Sequence, residues 1–233
     1  MEINGQVAVI TGAGKGLGRL LAEYLNQAGA SVLISDIGQE NLNQTAEELN
    51  LPAIVADVSQ EEDINNLANE ALSRFGRIDI WINNAGIWLP RLSVTELKPA
   101  AIRQVFAVNV YGSIYGTIAA LKQMQKQESG TIINIISVSA LSGRPLSAAY
   151  SASKHAVKGF TDSLRTELTD SPIKVIATYP PGMKTDLFNA GRPVDFAEYL
   201  EPEIVAKKIV DNLKQNKPVE DLMFDDCDRE LRE

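Results

Sequence analysis

Cysteine and histidine are almost missing from this chain, with one of each among 233 residues. A lone Cys227 closes no intrachain disulfide, and with only His155 beside it there is no ligand cluster from which to build a zinc centre. No metal site is expected, and nothing calls for an oxidising compartment. The two side chains read as an idle or buried thiol and a packing or solvated imidazole. Cations are scarce too: 22 Lys and Arg face 30 Asp and Glu, a net charge of -8. Such a surface repels a phosphate backbone, so nucleic acid and anionic membranes are not expected partners. Long apolar runs are also lacking. The chain reaches Val7-Ala8-Val9-Ile10 within a few residues, which leaves no room for a signal peptide. No later run is read as long enough to span a bilayer. The expectation is a cytoplasmic protein that works on small molecules.

What is present suits one domain over residues 1–233, with 45% hydrophobic residues to cover a sheet on both faces. Val7-Ala8-Val9-Ile10 is a short β-branched run, as in a strand buried on both sides, and it stops at Thr11-Gly12-Ala13-Gly14-Lys15-Gly16-Leu17-Gly18. Leu17, Leu21, Tyr24, Leu25 and Ala28 then recur at helical spacing up to Gly29. A second strand, Ser31 to Ser35, ends on Asp36. The turn matches neither G-x-G-x-x-G nor a P-loop. Residues without a Cβ still let a diphosphate approach the backbone, and the following helix offers free amides. A bare tight turn would need the same glycines; the strand before, the helix after and the acid closing the next strand favour dinucleotide binding.

The alternation continues with helices at 39–49, 60–75, 99–126, 150–170 and 203–215, and strands at 53–58, 78–82, 131–136, 173–177 and 220–224. Strand and helix in turn predict a doubly wound α/β fold of Rossmann type, a parallel sheet of about seven strands with right-handed crossovers. Residues 183–201 lack periodicity. Within Tyr150-Ser151-Ala152-Ser153-Lys154, helical spacing puts the phenol and the ammonium on one face. A nearby cation favours the phenolate and lowers a pKa of roughly 10. Taken alone, such a pair also fits a solvated face.

In order along the chain stand Thr11-Gly12-x-x-x-Gly16-x-Gly18, Asp57, Asn83-Asn84-Ala85-Gly86, Asn109, Ser137 and, 13 residues later, Tyr150-x-x-x-Lys154. With that set the chain resembles the short-chain dehydrogenases/reductases over practically its whole length. One departure is Pro181, which stands where the family commonly has glycine in Pro-Gly-x-x-x-Thr; here the run is Pro180 to Thr185. The resemblance implies an oxidoreductase that interconverts an alcohol and a ketone or aldehyde. Tyr150 would be the general acid/base and Lys154 would lower its pKa and hold the nicotinamide ribose. Ser137 would polarise the substrate oxygen and Asn109 would help order a relay water. It also implies cofactor contacts from Gly12, Gly14, Lys15, Gly16, Leu17 and Gly18, from Asp36 and Ile37, from Asp57, Val58, Asn84, Ala85 and Gly86, and from Pro180, Gly182 and Thr185.

NAD is the expected cofactor, because a carboxylate at Asp36 suits ribose hydroxyls and opposes the extra phosphate of NADP. Lys15 occupies a place where NADP-preferring members often carry a basic residue, which keeps NADP open. Walls at Trp88, Leu89 and Pro90, at Leu141 to Leu146, and at Leu187, Phe188, Phe196 and Tyr199 suggest an apolar or mixed substrate of modest size. The resemblance further implies a homo-oligomer, tetramer or dimer, and a mobile lid at 183–201. The alternatives are a non-catalytic NAD(H)-binding regulator or scaffold, and an epimerase or dehydratase with tightly held cofactor.

Overall fold

The computed structural model describes residues 2–188 and 191–224, so Cys227 lies outside the described residues. Alternation sets the architecture. In β1 (Val7–Thr11), Ala8 and Ile10 point to one side of the sheet and Val9 to the other; β4 (Ile80–Asn83) splits Ile80 and Ile82 from Trp81 in the same way. A strand apolar on both faces needs a helical layer on each. The first face is covered by α1 (Gly16–Gln27) and α7 (Pro202–Lys214), through Leu21, Leu25, Val205 and Ile209. The second is covered by α3 (Glu61–Phe75), α5 (Gly112–Gln127) and α6 (Ala148–Glu167), through Ile64, Leu67, Met124 and Leu164.

With β2 (Ser31–Asp36), β3 (Ala53–Val55), β5 (Gly130–Ile135), β6 (Ile173–Tyr179) and β7 (Asp221–Met223), the strands form one seven-stranded sheet of order 3-2-1-4-5-6-7. Every pairing is parallel. The order reverses between β1 and β4, and ligands of open α/β sheets lie outside the carboxyl ends at such a switch point. The expected third strand is shorter than 53–58: it stops at Val55, although the Ala56 amide still donates to the Asp36 carbonyl at 3.1 Å.

Two expectations about the helix at 99–126 fail. It is not regular: α4 (Pro99–Phe106) passes into a π-helical turn at Ala107–Tyr111 before α5 begins. Wide turns of this kind recur at functional sites, and this one carries Asn109. The continuous helix Pro99–Gln127 is also long and apolar enough, by length and composition, to cross a bilayer. Half of its most apolar window is buried inside the protein, with Ala119, Ala120 and Met124 in the core. Its apolarity is accounted for by packing on α3, β4 and β5.

Candidate active site

A cavity of about 550 Å³ opens along the carboxyl ends of the strands and runs from Asp36 to Tyr199. Its β1–α1 end is held by close backbone approach. A Cβ on Gly12 would lie 2.6 Å from the Ala85 Cα, and one on Gly18 would lie 2.5 Å from the Asn84 amide nitrogen. Asn84 is the clamp there: its side-chain amide donates to the carbonyls of Thr11 at 3.0 Å and Gly12 at 2.8 Å, while the Thr11 hydroxyl accepts the Asn84 and Ala85 amides at 3.2 Å. The amides that open α1 are left available. Its N-cap, Lys15, makes no side-chain capping bond, and no acid sits in the first turn.

Asp36 closes β2 at the cavity wall, with one carboxylate oxygen accepting Gly14 N–H at 3.0 Å and the other Gly38 N–H at 2.9 Å. An ionised carboxylate offers about four acceptor sites, so about two remain for a ligand. Gly14 therefore acts behind the site: it does not line the cavity, and its carbonyl accepts the Thr45 hydroxyl at 2.9 Å. Lys15 lines the cavity but faces Asp186 at 3.3 Å, both side chains about half exposed. That pairing was invisible in the sequence, where the two are far apart.

At the other end, Tyr150 and Lys154 share one face of α6, as the spacing predicts, and both line the cavity with Ser137. The Ser137 oxygen accepts Ser139 N–H at 3.1 Å, and the Ser137 hydroxyl is near enough to the Tyr150 phenol to oppose the rise in its pKa. Lys154, 6% exposed, donates to the Ile135 carbonyl at 3.0 Å, with its nitrogen 5.9 Å from the centre of the Tyr150 ring. Burial pushes its amine down to about 8. The expectation that Lys154 lowers the Tyr150 pKa is not met in this geometry. Burial raises the phenol to about 12, and the groups that oppose the rise are Ser137 and Arg144.

Asn109 departs from its expected place. It is fully buried and does not line the cavity. Its side-chain amide donates to the Ile87 carbonyl at 3.0 Å and the Ser153 hydroxyl at 3.1 Å, and its side-chain carbonyl accepts Ile87 N–H at 2.8 Å. With those bonds made, the side chain ties the segment after β4 to α6 and is a positioning group. The neighbouring Asn83 is spent similarly: it accepts the Trp81 indole N–H at 2.8 Å and donates to Asn134 at 2.8 Å and Thr117 at 3.1 Å.

Gly12, Lys15, Gly16, Leu17, Gly18, Asp36, Ile37, Asp57 and Val58 line the cavity as expected, as do Asn84, Ala85, Gly86, Pro180, Gly182 and Thr185. The expected substrate walls are met in part, by Trp88, Leu187, Phe188 and Tyr199. Leu89 and Pro90 turn away into a separate shallow depression with Leu146, and Phe196 stacks behind Phe188 and Tyr199 at 6.1 and 5.5 Å. Leu141 and Leu146 are exposed, and from their loop it is Arg144 that lines the cavity.

Comparison with known proteins agrees with this layout. The family model for short chain dehydrogenases matches residues 6–194. An uncharacterised oxidoreductase from Staphylococcus aureus is 35% identical over 217 residues, 92% of this chain and 93% of that protein. The structure of a 3-ketoacyl-(acyl-carrier-protein) reductase from Brucella melitensis complexed with NADH is similar at a TM-score of 0.88 and 30% identity, covering 96% of this chain and 98% of that one. A short chain dehydrogenase/reductase from Burkholderia phymatum in complex with NAD is similar at a TM-score of 0.89 and 26% identity, covering 96% and 90%.

Proposed function

Because the chain belongs to the short-chain dehydrogenase/reductase family, we propose that it is a nicotinamide-dependent oxidoreductase that interconverts an alcohol and a ketone or aldehyde, with Tyr150 as the proton-transferring group. One observation carries this reading. Tyr150 and Ser137 lie together on the wall of the same cavity whose far end holds the glycine turn and Asp36.

The residues present fit a dinucleotide. A Cβ at Gly12 or Gly18 would collide with Ala85 or with Asn84 and force the turn open, and the uncapped start of α1 suits a diphosphate. Gly16, Leu17 and Gly18 would hold that group, Asp36 the adenosine ribose and Lys154 the nicotinamide ribose. When bound, the nicotinamide supplies or accepts the hydride. The protein's own part is proton handling. With its pKa raised by burial, the phenol holds its proton near neutral pH, so the resting group is the donor form. That state suits reduction of a carbonyl, where a nascent alkoxide needs a proton. Ser137, whose hydroxyl lies near the phenol, would hold the carbonyl oxygen beside it.

NAD is the preferred cofactor in this reading. Asp36 is fixed by two amides, so a 2′-phosphate would meet an anion that cannot turn away without losing them. Lys15, the residue that favours the rival, is paired with Asp186 at 3.3 Å. The two similar proteins crystallised with NADH and NAD support the same choice. The test is a panel of ketones, aldehydes and alcohols, followed by nicotinamide absorbance with wild type and Tyr150→Phe. Turnover that depends on Tyr150 is expected; wild-type rates in Tyr150→Phe on a confirmed substrate would remove the assignment.

A further inference from the structure

Resting on that reading, we propose that the carbonyl substrate carries a carboxylate and that Arg144 binds it at the mouth of the cavity. The Tyr150 end is aromatic: Phe188 meets Trp88 edge-on at 5.1 Å and Tyr199 at 5.3 Å. Three cations line this part of the cavity, Arg91, Arg144 and Lys154. Arg91 is met by Asp195 at 3.4 Å, and Lys154 donates to a backbone carbonyl. Among the described residues no carboxylate lies within ion-pair distance of Arg144. The acids that line the cavity are elsewhere: Asp36 and Asp57 at the other end, and Asp186 against Lys15.

Arg144 is exposed at the rim, and of the two guanidiniums that line the reacting end of the cavity, Arg91 and Arg144, it is the one without an acid partner among the described residues. Its charge is felt at both phenols there, Tyr150 and Tyr199. Pro145 follows it, which disfavours helical backbone at Arg144 and keeps the loop extended there. The planar fork of arginine matches a carboxylate with two parallel bonds. One free cation among aromatic rings suits a monoanion with an apolar body; a phosphate dianion would call for more. The substrate class is then an aryl or alkyl keto acid, reduced to the hydroxy acid.

The experiment compares keto acids with their methyl esters, for instance 4-oxo-4-phenylbutyrate and benzoylformate, in full-length protein with NADH. The acids are expected to exceed their esters in kcat/KM by about tenfold or more, mainly through KM, as for a charge-assisted bidentate bond. In Arg144→Gln that acid-to-ester ratio should collapse, and Arg144→Lys should restore part of it. A residue that only tunes the Tyr150 phenol would lower acid and ester alike and leave the ratio intact, which would overturn the proposal. Calorimetry with the non-reacting pair 4-phenylbutyrate and 4-phenylbutanamide needs no turnover. Preferential, Arg144-dependent binding of the acid supports the site even if no carbonyl is reduced, in which case the redox reading alone falls. Reduction of esters as efficiently as acids removes the carboxylate site and leaves the redox reading standing. A matched phosphate monoester bound more tightly than the carboxylate would overturn the assignment of the anion.

Discussion

The two ends of the cavity are built by different means. At the β1–α1 end the backbone does the positioning: glycines allow near contact, Asn84 bonds the turn, and Asp36 is anchored by amides on both sides. At the far end side chains do it: Trp88, Phe188, Phe196 and Tyr199 stack in a cluster drawn from two distant stretches, joined by short 3₁₀ turns at Asp186–Phe188 and Phe196–Glu198. Backbone positioning leaves one geometry and suits a ligand common to many proteins. Side-chain positioning can be re-cut by single substitutions and suits a ligand particular to this one. Tyr150, Ser137 and Lys154 lie where the two regimes meet.

The largest effect is expected at that junction. Tyr150→Phe removes the transferable proton and keeps the ring, so kcat should fall by about 10² to 10⁴ while NAD(H) binding, measured by calorimetry, stays at the wild-type value. A parallel loss of cofactor affinity would mean that the junction belongs to the backbone-built end.

Next comes a paired test of the two ends. Gly18→Ala would press a methyl group against the Asn84 amide that clamps the turn, an overpacking that costs roughly 1–3 kcal/mol. Tm and NAD(H) affinity should fall together. Phe188→Ala, which removes the centre of the aromatic cluster, should raise the substrate KM and leave NAD(H) affinity in place. Wild-type cofactor affinity in Gly18→Ala would break the comparison at its firmer side.

This division also decides what was legible in the sequence. Glycines, Asp36 and the Tyr150/Lys154 pair are local signals, read from strand-end position and helical spacing, and all but Gly14 reach the cavity wall. Gly14 was misread because a glycine in such a turn serves the ligand or the neighbouring strand equally well from sequence. The bonds of Asn109 to Ile87 and Ser153 are made where the π turn carries it, and neither those partners nor the wide turn has a periodic signature. The Tyr150 pKa lies above its ordinary value because burial, which no local spacing reveals, outweighs the opposing Ser137 and Arg144. The Lys15–Asp186 pair and Arg144 at the cavity rim needed the fold to be seen at all.

A smaller effect separates the cofactors. With NAD the expected advantage is about tenfold in kcat/KM, or roughly 1.4 kcal/mol. Asp36→Ala should shrink it, since the anion that opposes a 2′-phosphate is gone. Lys15→Ala should widen it only slightly, because the ammonium is already matched by Asp186. Equal efficiency with NADP and NAD in the wild type would show that the amide-held carboxylate does not face the ribose.

The smallest energies belong to residues 183–201, which we infer to close over the substrate as a lid. The segment is pinned at its base, where Lys184 N–H donates to the Leu200 carbonyl at 2.8 Å and Leu200 N–H to the Gly182 carbonyl at 2.9 Å. An ion pair between Lys184 and Glu201 at 2.5 Å spans the same neck. Beyond the neck the described part has two short 3₁₀ turns, Val194 is almost wholly exposed, and the inward contacts are chiefly the aromatic ones through Phe188. A loop closed at its base and held at its tip by a few ring contacts opens locally at little cost, while the neck, tied by two backbone bonds and the ion pair, opens at a greater one. Hydrogen exchange read at single amides should therefore divide the segment. Lys184 and Leu200 are expected to be protected with or without ligands. Gly191, Phe196 and Glu198, whose amides donate to carbonyls three residues back in short turns, should gain protection when NADH and a substrate analogue are bound together, because closure excludes water from the aromatic end. Equal protection of the tip in the free and the doubly bound protein would show a fixed wall, and the substrate end would then be as rigid as the cofactor end.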